Sequence, residues 1–163
     1  MPQALALIPA DQRPVVTHQS GEKQIEALRQ AYTQAGVAAT LLPFIDDMAT
    51  ACADADVVIA RAGASTVTEL AAVGVAAVFV PFPHAVDDHQ THNARFLVDA
   101  GAARLLPQAQ LGAHTLADLL RGLDRTGLLA MAEKAQALAK TGAVEALVRA
   151  CEQRVAVAPN RQT

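Results

Sequence analysis

The stretch Arg61-Ala-Gly-Ala-Ser-Thr-Val-Thr-Glu-Leu70 holds the residue types from which an anion site can be built. It follows four consecutive apolar residues, Val57 to Ala60, which read as a buried parallel strand covered on both faces. Gly63 can take a positive φ without strain, so a tight turn is expected there, with a helix starting near Ser65 or Thr66. The first N–H groups of such a helix have no intrahelical acceptor, and the helix dipole adds partial positive charge at the same end. A phosphate beyond the strand would be stabilised there without a lysine. The same residues also fit an architectural use. Thr66-x-x-Glu69 matches a capping box, in which the threonine caps the helix and the glutamate reaches back to its N–H. Both uses stand open on this stretch alone.

These residues need elements to hold them. Apolar runs at 14–17, 39–45, 57–60, 76–82 and 103–106 read as strands, separated by helical patterns at 22–35, 46–53, 65–74 and 88–100. Asp46 is placed to cap the second of these helices, and Phe96 and Leu97 are the inward residues expected of the last. Alternation of this kind predicts an α/β fold, a Rossmann-like doubly wound parallel sheet of about five strands with an all-helical C-terminal end. In such a sheet ligands sit beyond the carboxyl ends of the strands. That rule selects His18 to Gly21, Ile45 to Asp47, Arg61 to Glu69 and Pro81 to Gln90, which hold most of the histidines, the paired aspartates and the glycine turn.

Composition narrows the function classes. At 163 residues one core and one domain are expected. Aromatic residues are only 3%, so the core must be built from Ala, Val and Leu, which suits helices packed closely on a sheet. The net charge of -3 and the lack of lysine or arginine runs speak against nucleic acid as a partner. Cys52 and Cys151 lack metal-ligand spacing and read as reduced thiols. Asp54-Ala-Asp56 spells a metal motif but precedes its strand, so it is assigned to a helix end and a strand start; no metal or cofactor is expected. The run Leu70 to Pro83, broken by Gly74 and Pro81, is shorter than the ~20 residues of a spanning helix.

Six motifs in register carry a family likeness: His18-Gln-Ser-Gly21, Phe44-Ile-Asp-Asp-Met48, Ala55-Asp-Val-Val58, Arg61 to Leu70, Val80-Pro-Phe-Pro83 and Asp87-Asp-His-Gln-Thr-His-Asn-Ala94. Together they resemble the C-terminal, donor-binding half of the MurG-type N-acetylglucosaminyltransferases, GT-B enzymes that move N-acetylglucosamine from UDP-GlcNAc onto lipid-linked muramyl-pentapeptide in peptidoglycan synthesis. The resemblance implies that Ala64, Ser65, Thr66, Val67 and Thr68 cradle the diphosphate and that Glu69 accepts from the ribose hydroxyls. It implies that the backbone of Ile45 reads the uracil edge, and that Gln90, with His89 beside it, recognises the sugar hydroxyls. His18, Arg61 and Asn93 are further candidates: His18 for ordering its loop, Arg61 for facing the diphosphate or pairing locally. No catalytic residue is assigned.

The departures matter as much. A domain of this type opens with a strand and a Gly-Gly-Ser loop, and the family's other half carries the acceptor site and the base; residues 1–163 contain neither. Residues 1–155 are therefore expected to form the UDP-GlcNAc-binding domain without its first strand, followed by a disordered tail over 156–163. The chain would be a fragment, a mis-started product, or half of a split enzyme, peripheral at the cytoplasmic face of the membrane. The alternative is a non-catalytic UDP-sugar-binding subunit acting with a separate acceptor-binding chain. Without the opening strand, strands 14–17 and 57–60 should flank a gap or pair directly, and stability should be poor.

Overall fold

The computed structural model describes residues 1–83 and 88–157, so most of the loop expected at His84 to Asp88 and the tail beyond Val157 lie outside the described residues. In chain order the elements are α1 (Pro2–Ala6), β1 (Thr17–Gln19), α2 (Ile25–Ala35), β2 (Thr40–Leu42), α3 (Met48–Ala53), β3 (Val57–Ala60), α4 (Ala64–Val73), β4 (Ala76–Phe79), α5 (His89–Val98), β5 (Ala103–Leu105), α6 (Ala113–Arg121), α7 (Arg125–Ala137) and α8 (Ala143–Val157). The tail expected from Ala156 thus starts inside a helix. All strand pairs are parallel: β1 pairs with β2, β3 with β4, and β4 with β5.

Among the described residues the five strands form two sheets, ordered β1-β2 and β3-β4-β5, in place of one continuous ladder. Both sheets face one helical layer. Leu41 from the first, with Val16 just before β1, and Val57 and Ile59 from the second, pack on the cluster formed by Ala4, Leu5, Tyr32 and Leu116 of α1, α2 and α6. β1 and β3 do not pair among the described residues, so the direct pairing, one of the two expected outcomes, is not made. β3 packs on both layers, Val58 on one and Val57 and Ile59 on the other, yet Val57 to Ala60 are only half-buried, and one edge of the strand carries no neighbour among the described residues.

β4 is the covered strand. Its side chains alternate between two layers, with Ala77 and Phe79 in a cluster made by α4, α5 and α7, and Val78 and Val80 in the cluster made by α1, α2 and α6. All four β4 residues are buried. A continuous apolar run is what such a strand requires, since neither face meets water.

Local signals locate the helices to within a few residues. Gly36, Gly74 and Gly101 stop α2, α4 and α5 in the left-handed conformation. Asp47, not Asp46, caps α3: its Oδ1 accepts from Thr50 N–H at 2.9 Å and its Oδ2 from the Thr50 hydroxyl at 2.7 Å, which holds the Asp47 carboxyl below its ordinary pKa. β1 begins at Thr17 rather than ending there, so His18 lies in the strand and not in the turn after it. Phe96 is 40% exposed, whereas Leu97 is fully buried, so only the second of the two expected inward residues faces the core. Cys52 and Cys151 are both free thiols. Asp54 ends α3, and Asp56 pairs with Arg125 at 2.7 Å, the architectural use assigned to that motif.

Candidate donor site

The turn after β3 is where sequence and structure differ most usefully. α4 begins at Ala64 with Gly63 as its cap residue, and no side chain caps it. Gly63 has φ -61 and ψ 148, an ordinary extended conformation, so the turn needs no left-handed glycine. Thr66 lies inside the first turn and Glu69 does not reach back, so the capping box is not made. The first helical bond is Val67 N–H to Gly63 O at 3.0 Å. The N–H groups of Ala64, Ser65 and Thr66 consequently have no protein acceptor among the described residues. Ala64 and Ser65 are exposed and Thr66 half-buried, so these three donors are open to an anion at the carboxyl end of β3.

Two of the remaining candidates tie this turn to the next loop. Asn93, on α5, donates from Nδ2 to Ala62 O at 3.1 Å, just before Gly63. Gln90, in the first turn of α5, accepts on Oε1 from Phe82 N–H at 3.0 Å. Arg61 pairs with no carboxylate among the described residues. Its Nη1 donates to Val80 O and Pro81 O, both at 3.0 Å, and its guanidinium lies 5.6 Å from the Phe82 ring centroid. The loop after β4 is thus bound to the end of β3 by one side chain and to α5 by another. Asp88, before α5, takes the left-handed conformation at φ 51, which aspartate tolerates, and its Oδ1 accepts from the Thr91 hydroxyl at 2.7 Å. His89 is exposed at the first position of α5.

A cavity of about 220 Å³ opens between α4 and α5, lined by Ala64, Val67 and Thr68 on one side and by Asn93 and Phe96 on the other. Its rim carries Lys140, whose Nζ lies 5.4 Å from the Phe96 centroid. Typical ligand pockets are ~300–1,000 Å³, so this cavity by itself is smaller than a usual ligand site. Lys140 is a contribution that no sequence pattern announced: it acts through a ring contact between residues distant in the chain. Thr68 turns its hydroxyl back to Ala64 O at 2.9 Å. Glu69 is exposed, and its charge, after burial itself, helps push the Cys52 thiol pKa up.

Ile45 and His18 belong to the carboxyl end of the other sheet, and neither joins this network of bonds. Ile45 is half-buried between β2 and the cap of α3. His18 Nδ1 lies 3.1 Å from the Tyr32 hydroxyl, with the rings edge-on. Burial pushes the Tyr32 pKa up to about 12 and lowers that of His18, so the neutral ring faces a protonated phenol. His18 therefore orders β1 against α2. The linkage has a definite sign. With the folded pKa below the ordinary 6.5, the unfolded chain binds the extra proton, so stability is full above pH 6.5 and falls as pH drops through the folded pKa. His18→Asn should flatten the decline of the unfolding midpoint between pH 7 and 5; an unchanged slope would place the acid sensitivity elsewhere.

Among the described residues no group of three or more His, Cys, Asp or Glu could hold a metal ion, and no helix is long and apolar enough to cross a membrane.

Similarity to known proteins agrees with this fold. The family model of the glycosyltransferase family 28 C-terminal domain matches residues 1–149. A protein of Paracidovorax citrulli (strain AAC00-1), named UDP-N-acetylglucosamine--N-acetylmuramyl-(pentapeptide) pyrophosphoryl-undecaprenol N-acetylglucosamine transferase, is 63% identical over 153 residues, covering 94% of this chain and 43% of that protein. A protein of the same name from Azoarcus sp. (strain BH72) is 64% identical over the same shares of the two chains. The crystal structure of Acinetobacter baumannii MurG superposes with a TM-score of 0.85 at 44% identity, over 93% of this chain and 44% of that one. The glycosyltransferase VinC, solved with dTDP, shares the fold at a TM-score of 0.63 and 23% identity, over 92% of this chain and 36% of its own. The chain spans less than half the length of these relatives. With the family model covering most of its residues, the chain belongs to glycosyltransferase family 28, whose C-terminal domain it carries.

Proposed function

We propose that this chain is the donor-binding half of an inverting N-acetylglucosaminyltransferase that takes UDP-GlcNAc and serves the conversion of lipid-linked muramyl-pentapeptide to its disaccharide in peptidoglycan synthesis. The observation that carries the reading is the uncapped start of α4: three adjacent N–H donors, on Ala64, Ser65 and Thr66, behind Gly63 at the end of β3. Such donors match a diphosphate and gain strength as charge develops on departing UDP, while the acceptor hydroxyl attacks C1 of the sugar from the opposite side. The base that takes the hydroxyl proton belongs to the acceptor-binding half. The close similarity to proteins named for this transfer supports the choice of donor and acceptor. A place at the cytoplasmic face of the membrane, held peripherally, follows from the lipid-linked acceptor.

Glu69 takes the ribose in this reading. It is exposed in the second turn of α4 and is free of the capping role that competed for it. A carboxylate accepting from ribose hydroxyls is a charge-assisted contact of about 1.5–3 kcal/mol. Calorimetry should therefore find Glu69→Gln weakening UDP binding by about tenfold or more, with much less effect on 2′-deoxy-UDP. Equal losses for the two nucleotides would remove Glu69 from the ribose. Failure of the unaltered protein to bind UDP at all would remove the donor site.

A further inference from the structure

Arg61 and Gln90 make bonds that change what each can do in a sugar-nucleotide site. The Phe82 N–H can only donate, so the Gln90 amide must present its oxygen to it, and the amide orientation is settled by chemistry. Oε1 then spends one of its two lone pairs on Phe82, and Nε2 has no partner among the described residues. The bond to Phe82 thus fixes which end of the amide is which, and leaves Nε2 as the end with both N–H donors available to a ligand. What keeps Phe82 in place to hold Gln90 this way is Arg61, through Val80 O and Pro81 O and through the face of the Phe82 ring. Asn93 returns the connection by holding Ala62 O from α5. The strand that leads into the α4 cradle and the helix that carries Gln90 are thereby cross-linked in both directions, by side chains bonded to backbone.

We propose that Arg61 is a positioning residue for the hexose: it fixes the Val80–Phe82 segment so that Gln90 projects Nε2 as a donor to a sugar oxygen, and it does not itself bind the diphosphate. This rests on the donor-site reading above. Both Nη1 bonds run to carbonyls of the β4–α5 loop, whereas the diphosphate donors are the α4 amides. Loss of Arg61 should loosen the sugar contact and leave the nucleotide contact intact.

The test is calorimetric titration of UDP and of UDP-GlcNAc into the whole chain and its variants. Arg61→Ala should weaken UDP-GlcNAc by about three- to tenfold, the worth of one misplaced hydrogen bond, while UDP changes by less than about twofold. Arg61→Lys, which can still donate to both carbonyls, should recover most of the difference. Gln90→Glu keeps an acceptor for Phe82 N–H but removes the donor, so it should lose the same increment with an unchanged unfolding midpoint. The double variant Arg61→Ala, Gln90→Glu should lose no more than either single one, because both act through one contact. Equal weakening of UDP and UDP-GlcNAc by Arg61→Ala would overturn the proposal in favour of a direct phosphate role. So would additive losses in the double variant. If the unaltered chain binds neither ligand, the donor site itself fails; if it binds both and Arg61→Ala changes neither, only the positioning role does.

Discussion

Ser65→Asp is expected to leave the protein folded, with an unfolding midpoint equal to or above that of the unaltered chain, and to reduce UDP binding by at least about a hundredfold. The two effects have opposite signs for one reason. Ser65 is the second residue of α4, where N–H groups lack acceptors and the helix dipole is positive, so a carboxylate there is favourable by about 0.3–1 kcal/mol. The same carboxylate occupies the place where a diphosphate would sit. It repels the ligand and engages one or two of the N–H donors, and charge-assisted bonds of that kind are worth about 1.5–3 kcal/mol each. Ser65→Ala separates charge from the side-chain hydroxyl, because it keeps every backbone donor and should bind UDP within a few-fold of the unaltered protein. A Ser65→Asp variant that still bound UDP normally would mean that the anion is held somewhere other than the start of α4. Thermal unfolding followed by circular dichroism and calorimetric titration of UDP are sufficient to read both effects.

The architecture was legible in the sequence to the extent that it rests on periodicity and glycine stops. Continuous apolar runs marked β3 and β4, and Gly36, Gly74 and Gly101 closed their helices where expected. Signals that depend on competition between neighbours were less legible. Asp46 and Asp47 are adjacent and chemically alike, and only the backbone conformation at Asp47 selects it as the cap. Thr66 and Glu69 have the spacing of a capping box, yet the helix starts two residues before Thr66, so the threonine is already helical and cannot cap. That failure is informative. An α/β turn that served architecture alone would gain stability from a capped helix, and here the donors are left open in the loop that the doubly wound topology assigns to ligands. For Arg61 the sequence left a phosphate or a carboxylate as partner. The carbonyls it chose belong to a strand end 19 and 20 residues away, and backbone acceptors carry no residue-type signature.

Phe79→Ala is expected to be the most damaging single truncation in the molecule, costing about 3–5 kcal/mol of folding stability and leaving little soluble protein at 37 °C. Among the described residues Phe79 is the largest fully buried side chain, and it sits on the one strand with neighbours on both sides. Its backbone pairs with Ala60 on β3 and Leu105 on β5, while its ring fills the cluster beneath α4, α5 and α7. In a core made mostly of Ala, Val and Leu, no neighbouring ring can swing into the space, so the cavity would stay open. Small domains have about 5–15 kcal/mol in total. In this chain four strand edges, on β1, β2, β3 and β5, are already without a partner among the described residues, where one continuous sheet would leave two. Phe96→Ala is the matched control. The same residue type is removed, but Phe96 is 40% exposed and contributes chiefly its contact with Lys140, worth about 0.5–1 kcal/mol. Urea unfolding of the two variants should therefore differ by several kcal/mol. If they proved equally harmful, β4 would not be the stabilising centre, and the half-buried β3 with its single ladder would have to carry more of the fold than its exposure allows.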